Sequence, residues 1–235
     1  RGIALLGTAM LILTPRFFAE SFYNNKDVLF LSWYIISIYF IFRWFRKKTI
    51  GAAIVAGILL AFTINTRLNG IVLIPLVILF AVIEQFEKKY PFREAMLPLC
   101  VLIVTCLVTF FIITPNYWEN PVSTFLEAFA FNMKHPNHGS DGNLFFGNLV
   151  DSTRIWYFVP AWIVLTVPTC TVLLSIVGFG KTILNFSQNR FSFFKNYELF
   201  MDLFMTAAGL IPLLVIIFFR VIIYNGWRHC YFFYG

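Results

Sequence analysis

The sequence predicts an all-α integral membrane protein: a multi-span helical bundle of about seven or eight spans, with a long external loop carrying an amphipathic interfacial helix. Three observations lead there. Hydrophobic residues make up 60% of the 235 residues and charged residues only 12%, far from the balance of a soluble domain. The 30 phenylalanines suit a surface that faces lipid. The basic residues behind the net charge of +7 stand in short clusters between apolar runs. That distribution belongs to loops obeying the positive-inside rule, not to a nucleic-acid-binding face.

Apolar runs of spanning or near-spanning length fall at 2–14, 28–45, 49–64, 69–86, 95–114, 156–178 and 201–223, and an eighth starts at 230. The chain opens on Arg1 and runs straight into the first of them, and it ends on apolar residues. It therefore reads as one transmembrane domain, 1–235, truncated at both ends. Only Asn65-Thr66-Arg67-Leu68-Asn69 separates the third run from the fourth. A single helix over both would overrun a bilayer, so a tight turn is predicted at 65–69.

The charges set the orientation. Arg43, Arg46, Lys47 and Lys48 follow the second run, Lys88, Lys89 and Arg93 the fourth, and Lys181, Arg190 and Lys195 the sixth. These loops alternate correctly and are assigned to the cytoplasm. The opposite side then receives 15–27, 65–69, the long loop 115–155, and 224–229. Within the long loop, Asn120-Pro121 reads as a helix start, with Asn as cap and Pro at the first helical position. Val122, Phe125, Leu126, Phe129, Ala130 and Met133 then recur at helical spacing, which predicts an amphipathic helix lying in the interface. His135-Pro136-Asn137-His138-Gly139 opens a turn-rich stretch beyond it.

The polar residues gathered on that side are the candidate site. Asp27 sits beside Lys26 at a membrane boundary, either as a solvated helix-cap carboxylate or as a base facing a cavity. Arg67, in the tight turn, either snorkels to lipid headgroups or binds a phosphate oxygen. Arg220 lies about a turn from the outer end of its run, and Arg228-His229 follow. Such a group suits an anionic, lipid-linked substrate. Glu20, Glu119, Glu127 and Asp151 are further carboxylates, expected to be mostly solvated or interfacial. His135, His138 and Asp141 have the right types for metal ligation but no third strong ligand spacing, and no metal is assigned. Cys100, Cys106, Cys170 and Cys230 form no paired motif and are expected to be small buried hydrophobes.

Taken in order, the segments TPRFFAESFYNNKD, TINTRLNGIVLIPL, ENPVSTFLEAFAFNMKHPNHG, LFFGNLVDSTRIWYFVPAWIVLTVP and YNGWRHCYF resemble the polytopic GT-C glycosyltransferases. Within these, the chain is most similar to the dolichyl-phosphate-mannose–protein mannosyltransferases and their bacterial aminoarabinose-transferase-like relatives. The resemblance implies an enzyme that moves a mannose-like hexose or related sugar from a polyprenyl-phosphate carrier, on the non-cytoplasmic face. The acceptor would be a hydroxyl of protein, lipid or glycan, and transfer would invert the anomeric carbon. An acidic residue would activate the acceptor and basic residues would hold the departing phosphate. The family's principal catalytic carboxylate lies in an external loop that would precede Arg1, so this piece alone is expected to be inactive. Asp27 is carried over as a second acidic position, Arg67, Arg228 and His229 as donor-phosphate contacts, with Lys26 and Glu20 behind them. No cofactor is implied beyond the donor. The bacterial inner membrane stands ahead of the endoplasmic reticulum as the location. A transporter or flippase for an anionic or lipid-linked solute is the alternative reading, and a membrane scaffold stands third.

Overall fold

The computed structural model describes residues 2–88, 91–133, 143–223 and 230–232. Among them are ten α-helices and one hairpin: α1 (Gly2–Ile12), α2 (Pro15–Glu20), α3 (Asn25–Lys47), α4 (Ile50–Thr66), α5 (Leu73–Lys88), α6 (Phe92–Ile113), α7 (Pro121–Met133), β1 (Asn143–Phe145), β2 (Asn148–Val150), α8 (Phe158–Thr166), α9 (Thr169–Gln188) and α10 (Tyr197–Phe218). A 3-10 turn, Leu68–Val72, leads into α5. Among the described residues, five segments are long and apolar enough to cross a membrane: Asn25–Lys47, Leu68–Lys88, Met96–Ile113, Thr169–Gln188 and Tyr197–Phe218. The chain is an all-α, multi-span membrane protein.

The described residues gather into two compact units, one of 1–31, 126–178 and 209–235, the other of 32–125 and 179–208. In the second unit α4 packs along α6 through a stripe of small residues, Ala53, Gly57 and Ala61, all buried. Spacing of four puts them on one helical face and lets the backbones close up, the usual basis of tight helix pairing in lipid. A Cβ added at Gly57 would stand 2.5 Å from the Leu102 carbonyl oxygen. Two polar pairs lie inside this unit: Ser37 Oγ lies 2.7 Å from Thr63 Oγ1, and the Tyr34 hydroxyl donates to the Ala208 carbonyl at 2.9 Å. Without water to satisfy them, such groups must find protein partners.

The three basic loops meet at one end of this unit, as the charge alternation requires. Buried Glu84 pairs with Lys48 and, at 3.0 Å, with Lys88. Glu87 accepts from the Ser192 hydroxyl (2.8 Å) and from the backbone N–H groups of Phe193 (2.7 Å) and Phe194 (2.9 Å). The opposite end is marked by Asn65 Nδ2, which donates to Thr114 Oγ1 at 2.6 Å. The predicted turn at 65–69 is present: α4 stops at Thr66, with Arg67 extended at φ −150°.

The first unit has its own core of Phe145, Phe158, Val159, Val167, Ile223, Cys230 and Tyr231. β1 and β2 pair antiparallel, Asn143 opposite Val150. Their two-residue turn has Phe146 at φ 49° and Gly147 at φ 83°, the double positive-φ geometry of a tight hairpin. Asn143 Nδ2 donates to the Ile223 carbonyl (2.8 Å), and the Ile223 N–H donates to Ser152 Oγ (3.3 Å). The segment after α10 is thus held on both edges.

The structure corrects one sequence expectation. The run 156–178 is not one span: it holds α8 and the start of α9, parted at Val167-Pro168, because Pro168 disfavours helical backbone in the residue before it. The helix α9 continues to Gln188, and Lys181 lies inside it, not in a loop. Of the run expected to start at 230, only Cys230–Phe232 lie among the described residues, in a 3-10 turn. The predicted amphipathic helix is α7. It starts at Pro121, with the Asn120 carbonyl accepting from Thr124 N–H at 3.0 Å. Val122, Leu126 and Phe129 on its apolar stripe are exposed.

Candidate functional site

The site grows from the polar segment between α1 and α3, within the first unit. Thr14 ends α1 by donating its hydroxyl to the Met10 carbonyl (2.8 Å), and Pro15 starts α2 at its first position. This short helix places Arg16 and Glu20 one turn apart, with Arg16 Nε 3.4 Å from Glu20 Oε1. Asn24 then caps α3. Its Oδ1 accepts from the Asp27 N–H (3.2 Å), and Asp27, three residues on, returns its carboxylate to the Asn24 amide (2.7 Å).

The same Asn24 amide nitrogen donates its second hydrogen to Glu20 Oε2 at 2.7 Å. One side chain therefore joins two carboxylates, and both are buried, Glu20 to 7% and Asp27 to 3% exposure. Glu20 is further held by Tyr231, whose hydroxyl accepts from Arg16 Nε at 2.9 Å and hydrogen-bonds Glu20. Burial first, and then that bond to Glu20, pushes the Tyr231 phenol well above its usual range, so it stays a proton donor. The Arg16 guanidinium lies over the rings of Trp162 (5.5 Å) and Tyr231 (6.0 Å). Two buried carboxylates thus share one amide, and Glu20 also meets the Arg16 guanidinium and the Tyr231 phenol. Such an arrangement can accept a proton from a hydroxyl while its geometry is held by the neighbours.

The structure brings together Glu20 and Asp27 among the expected residues and removes both from bulk water, which rejects the solvated-cap reading of Asp27 and the solvated expectation for Glu20. Lys26 is exposed and has no part in this network among the described residues. Arg67 belongs to the other unit, where it ends α4 and its carbonyl accepts from Gly70 N–H at 3.0 Å. Arg220 follows α10 in left-handed backbone, φ 50°. Arg228 and His229 lie outside the described residues, as do His135, His138 and Asp141. Three members of the network were not foreseen: Arg16, Asn24 and Tyr231. The Asn24–Asp27 spacing is a readable capping signal, whereas Tyr231 lies 215 positions from Arg16 and no local pattern reveals it.

Comparison with known proteins adds one positive finding. The family model described as dolichyl-phosphate-mannose-protein mannosyltransferase matches residues 1–118, a stretch that contains Glu20, Asn24, Asp27 and Arg67. No curated protein and no solved structure matches the chain.

Proposed function

Because the chain belongs to the dolichyl-phosphate-mannose-protein mannosyltransferase family, and so to the membrane glycosyltransferases of the GT-C type, we propose that it transfers a mannose-like sugar from a polyprenyl-phosphate carrier to a hydroxyl acceptor. Transfer would take place at the non-cytoplasmic face and invert the anomeric carbon. The observation that carries this reading is the buried pair Glu20 and Asp27, bridged by Asn24 in a segment that the family model covers. In this reading Asp27 takes up or relays the acceptor proton, and Glu20 holds it in place through Asn24. The leaving group is a phosphate, and fixed positive charge in a water-poor site stabilises it best. Arg67, Arg228 and His229 are proposed to supply that charge, with Lys26 and Arg220 at the margin. The bacterial inner membrane is the proposed location.

The break at Val167-Pro168 does not favour the transporter reading. Transporters split a spanning helix at the membrane midplane, whereas α9 is long enough to cross without α8.

The test uses the full-length protein. Purified protein is incubated with a polyprenyl-phosphate-linked sugar and donor consumption is followed for wild type, Asp27→Asn and Arg228→Ala. Loss of most activity in both folded variants supports the assignment. Wild-type rates in both would remove these residues from the site, and no binding of lipid-linked sugar by wild type would move the transporter reading to first place.

A further inference from the structure

Arg220 occupies a costly position. The Val221 N–H bonds to the Ile216 carbonyl (3.1 Å), five residues back, and the Phe219 N–H to the Val215 carbonyl (3.0 Å). This is the helix ending in which the residue between, here Arg220 at φ 50°, takes left-handed backbone. Glycine, and less often asparagine, is the usual occupant, because it adopts that conformation with little strain. An arginine there is held against its own preference, a pattern that collects at functional positions.

Its surroundings suggest why. Arg220 lines a small open cleft in the first unit, with Ser152, Thr153 and Trp156 among the polar walls and Ile216, Ile217 and Ile223 among the apolar ones. Ser152 Oγ accepts from the Ile223 N–H, which leaves its own hydrogen to give elsewhere. Trp156 is 69% exposed and keeps an indole N–H to donate. Asp151, next in sequence to Ser152, is engaged by Arg154 at 3.2 Å and by Thr153 Oγ1 at 2.6 Å. Among the described residues no acid pairs with Arg220. The cleft stands just beyond Phe218, where the 22-residue apolar helix α10 ends. That is headgroup depth for a helix crossing a bilayer.

We propose that Arg220, Ser152 and Trp156 bind the phosphate group of a lipid, whose first chain carbons lie on Ile216, Ile217 and Ile223. A guanidinium, a hydroxyl and an indole N–H match phosphate oxygens, and the isoleucines match hydrocarbon. The phosphate can belong to the polyprenyl carrier or to a bilayer phospholipid. The first case rests on the glycosyltransferase reading, and the second stands without it.

The thermal midpoint of full-length protein in detergent is measured with added polyprenyl phosphate, phosphatidylglycerol, or uncharged polyprenol, for wild type, Arg220→Gly and Arg220→Asn. Wild type is expected to gain several degrees from a phosphate lipid and none from polyprenol. Both variants should bind that lipid about tenfold more weakly, with lipid-free midpoints equal to or above wild type, since glycine and asparagine tolerate left-handed backbone. Trp156→Ala should weaken binding as well. A response to polyprenyl phosphate alone assigns the site to the carrier. A response to phosphatidylglycerol alone assigns it to the bilayer. No response to either, an equal response in wild type and both variants, or a response to polyprenol as large as to the phosphates overturns the proposal. So does a lower lipid-free midpoint, or failure to fold, in both variants, because Arg220 would then serve the fold. Donor consumption by the same preparations reads the glycosyltransferase assignment separately.

Discussion

Replacing Asn24 by aspartate changes one atom type and inverts the electrostatics of the site. In the wild type the amide gives one hydrogen to Glu20 and one to Asp27, both at 2.7 Å. Each bond to a charged acceptor is worth about 1.5–3 kcal/mol. Asn24 is only half-buried, so water offsets part of that, and about 3 kcal/mol is the expected loss at pH 7.5. The variant puts a third carboxylate between two others, and the like charges raise its pKa in the folded protein. A carboxylate with a folded pKa above its unfolded value destabilises most above the folded pKa. The deficit fades as pH falls towards the unfolded value, about 3.9. The thermal midpoint of full-length Asn24→Asp should therefore lie well below wild type at pH 7.5 and closer to it at pH 5. Asn24→Ala, which adds no charge, should show a smaller pH dependence. Donor consumption by Asn24→Asp should fall about a hundredfold at pH 7.5 if the displaced carboxylates lose close to 3 kcal/mol of transition-state stabilisation. A variant as stable and active as wild type at pH 7.5, or a deficit that widens at pH 5, would refute the bridge.

Gly57→Ala should cost about 1–3 kcal/mol in a denaturation assay in detergent, because the clash is with the backbone of α6, while Gly51→Ala, with open space around it, should not destabilise. Glu84→Gln should cost about 3 kcal/mol or more by leaving Lys48 and Lys88 without their shared buried carboxylate. Burial already holds the Lys48 ammonium below the usual lysine range against the pull of Glu84. The deficit should therefore be full near neutral pH and shrink as pH rises and Lys48 loses its proton, which denaturation from neutral to alkaline pH will show. Phe146→Asn should stabilise by up to about 1 kcal/mol, because asparagine tolerates the φ of 49° that strains phenylalanine. A lower midpoint would mean that the exposed ring contributes more than its backbone costs.

The spans were legible where a long apolar run ended in charge. α3, α4, α6 and α10 lie within a few residues of the runs that predict them, and the 65–69 turn was forced by length alone. Proline was ambiguous: Pro98 and Pro212 sit inside helices while Pro168 separates two. A helix bounded by lipid and neighbouring helices tolerates a missing hydrogen bond, so composition around the proline does not say which will happen. α9 outran its apolar run because its second half, through Lys181 and Asn185, is polar on one side only. In the site, Asp27 was legible as chemistry but not as a buried group. Its partner Asn24 is local, but the neighbouring Glu20 is held with Arg16 and Tyr231, and a pairing across 215 positions leaves no periodic trace.

Glu87 has a consequence for how the protein is made. Its three donors come from residues 105 to 107 positions later in the chain. At about 5–20 residues per second, a ribosome needs roughly 5–20 s to supply them after Glu87 itself emerges. Through that interval α5 is complete while its clasp does not exist, and the Phe42, Phe45 and Phe80 rings still lack Phe200 and Phe204 of α10. The early helices must therefore dwell in the membrane half-assembled, with lipid or the insertion machinery standing in for α10, and the latch closes as α10 arrives.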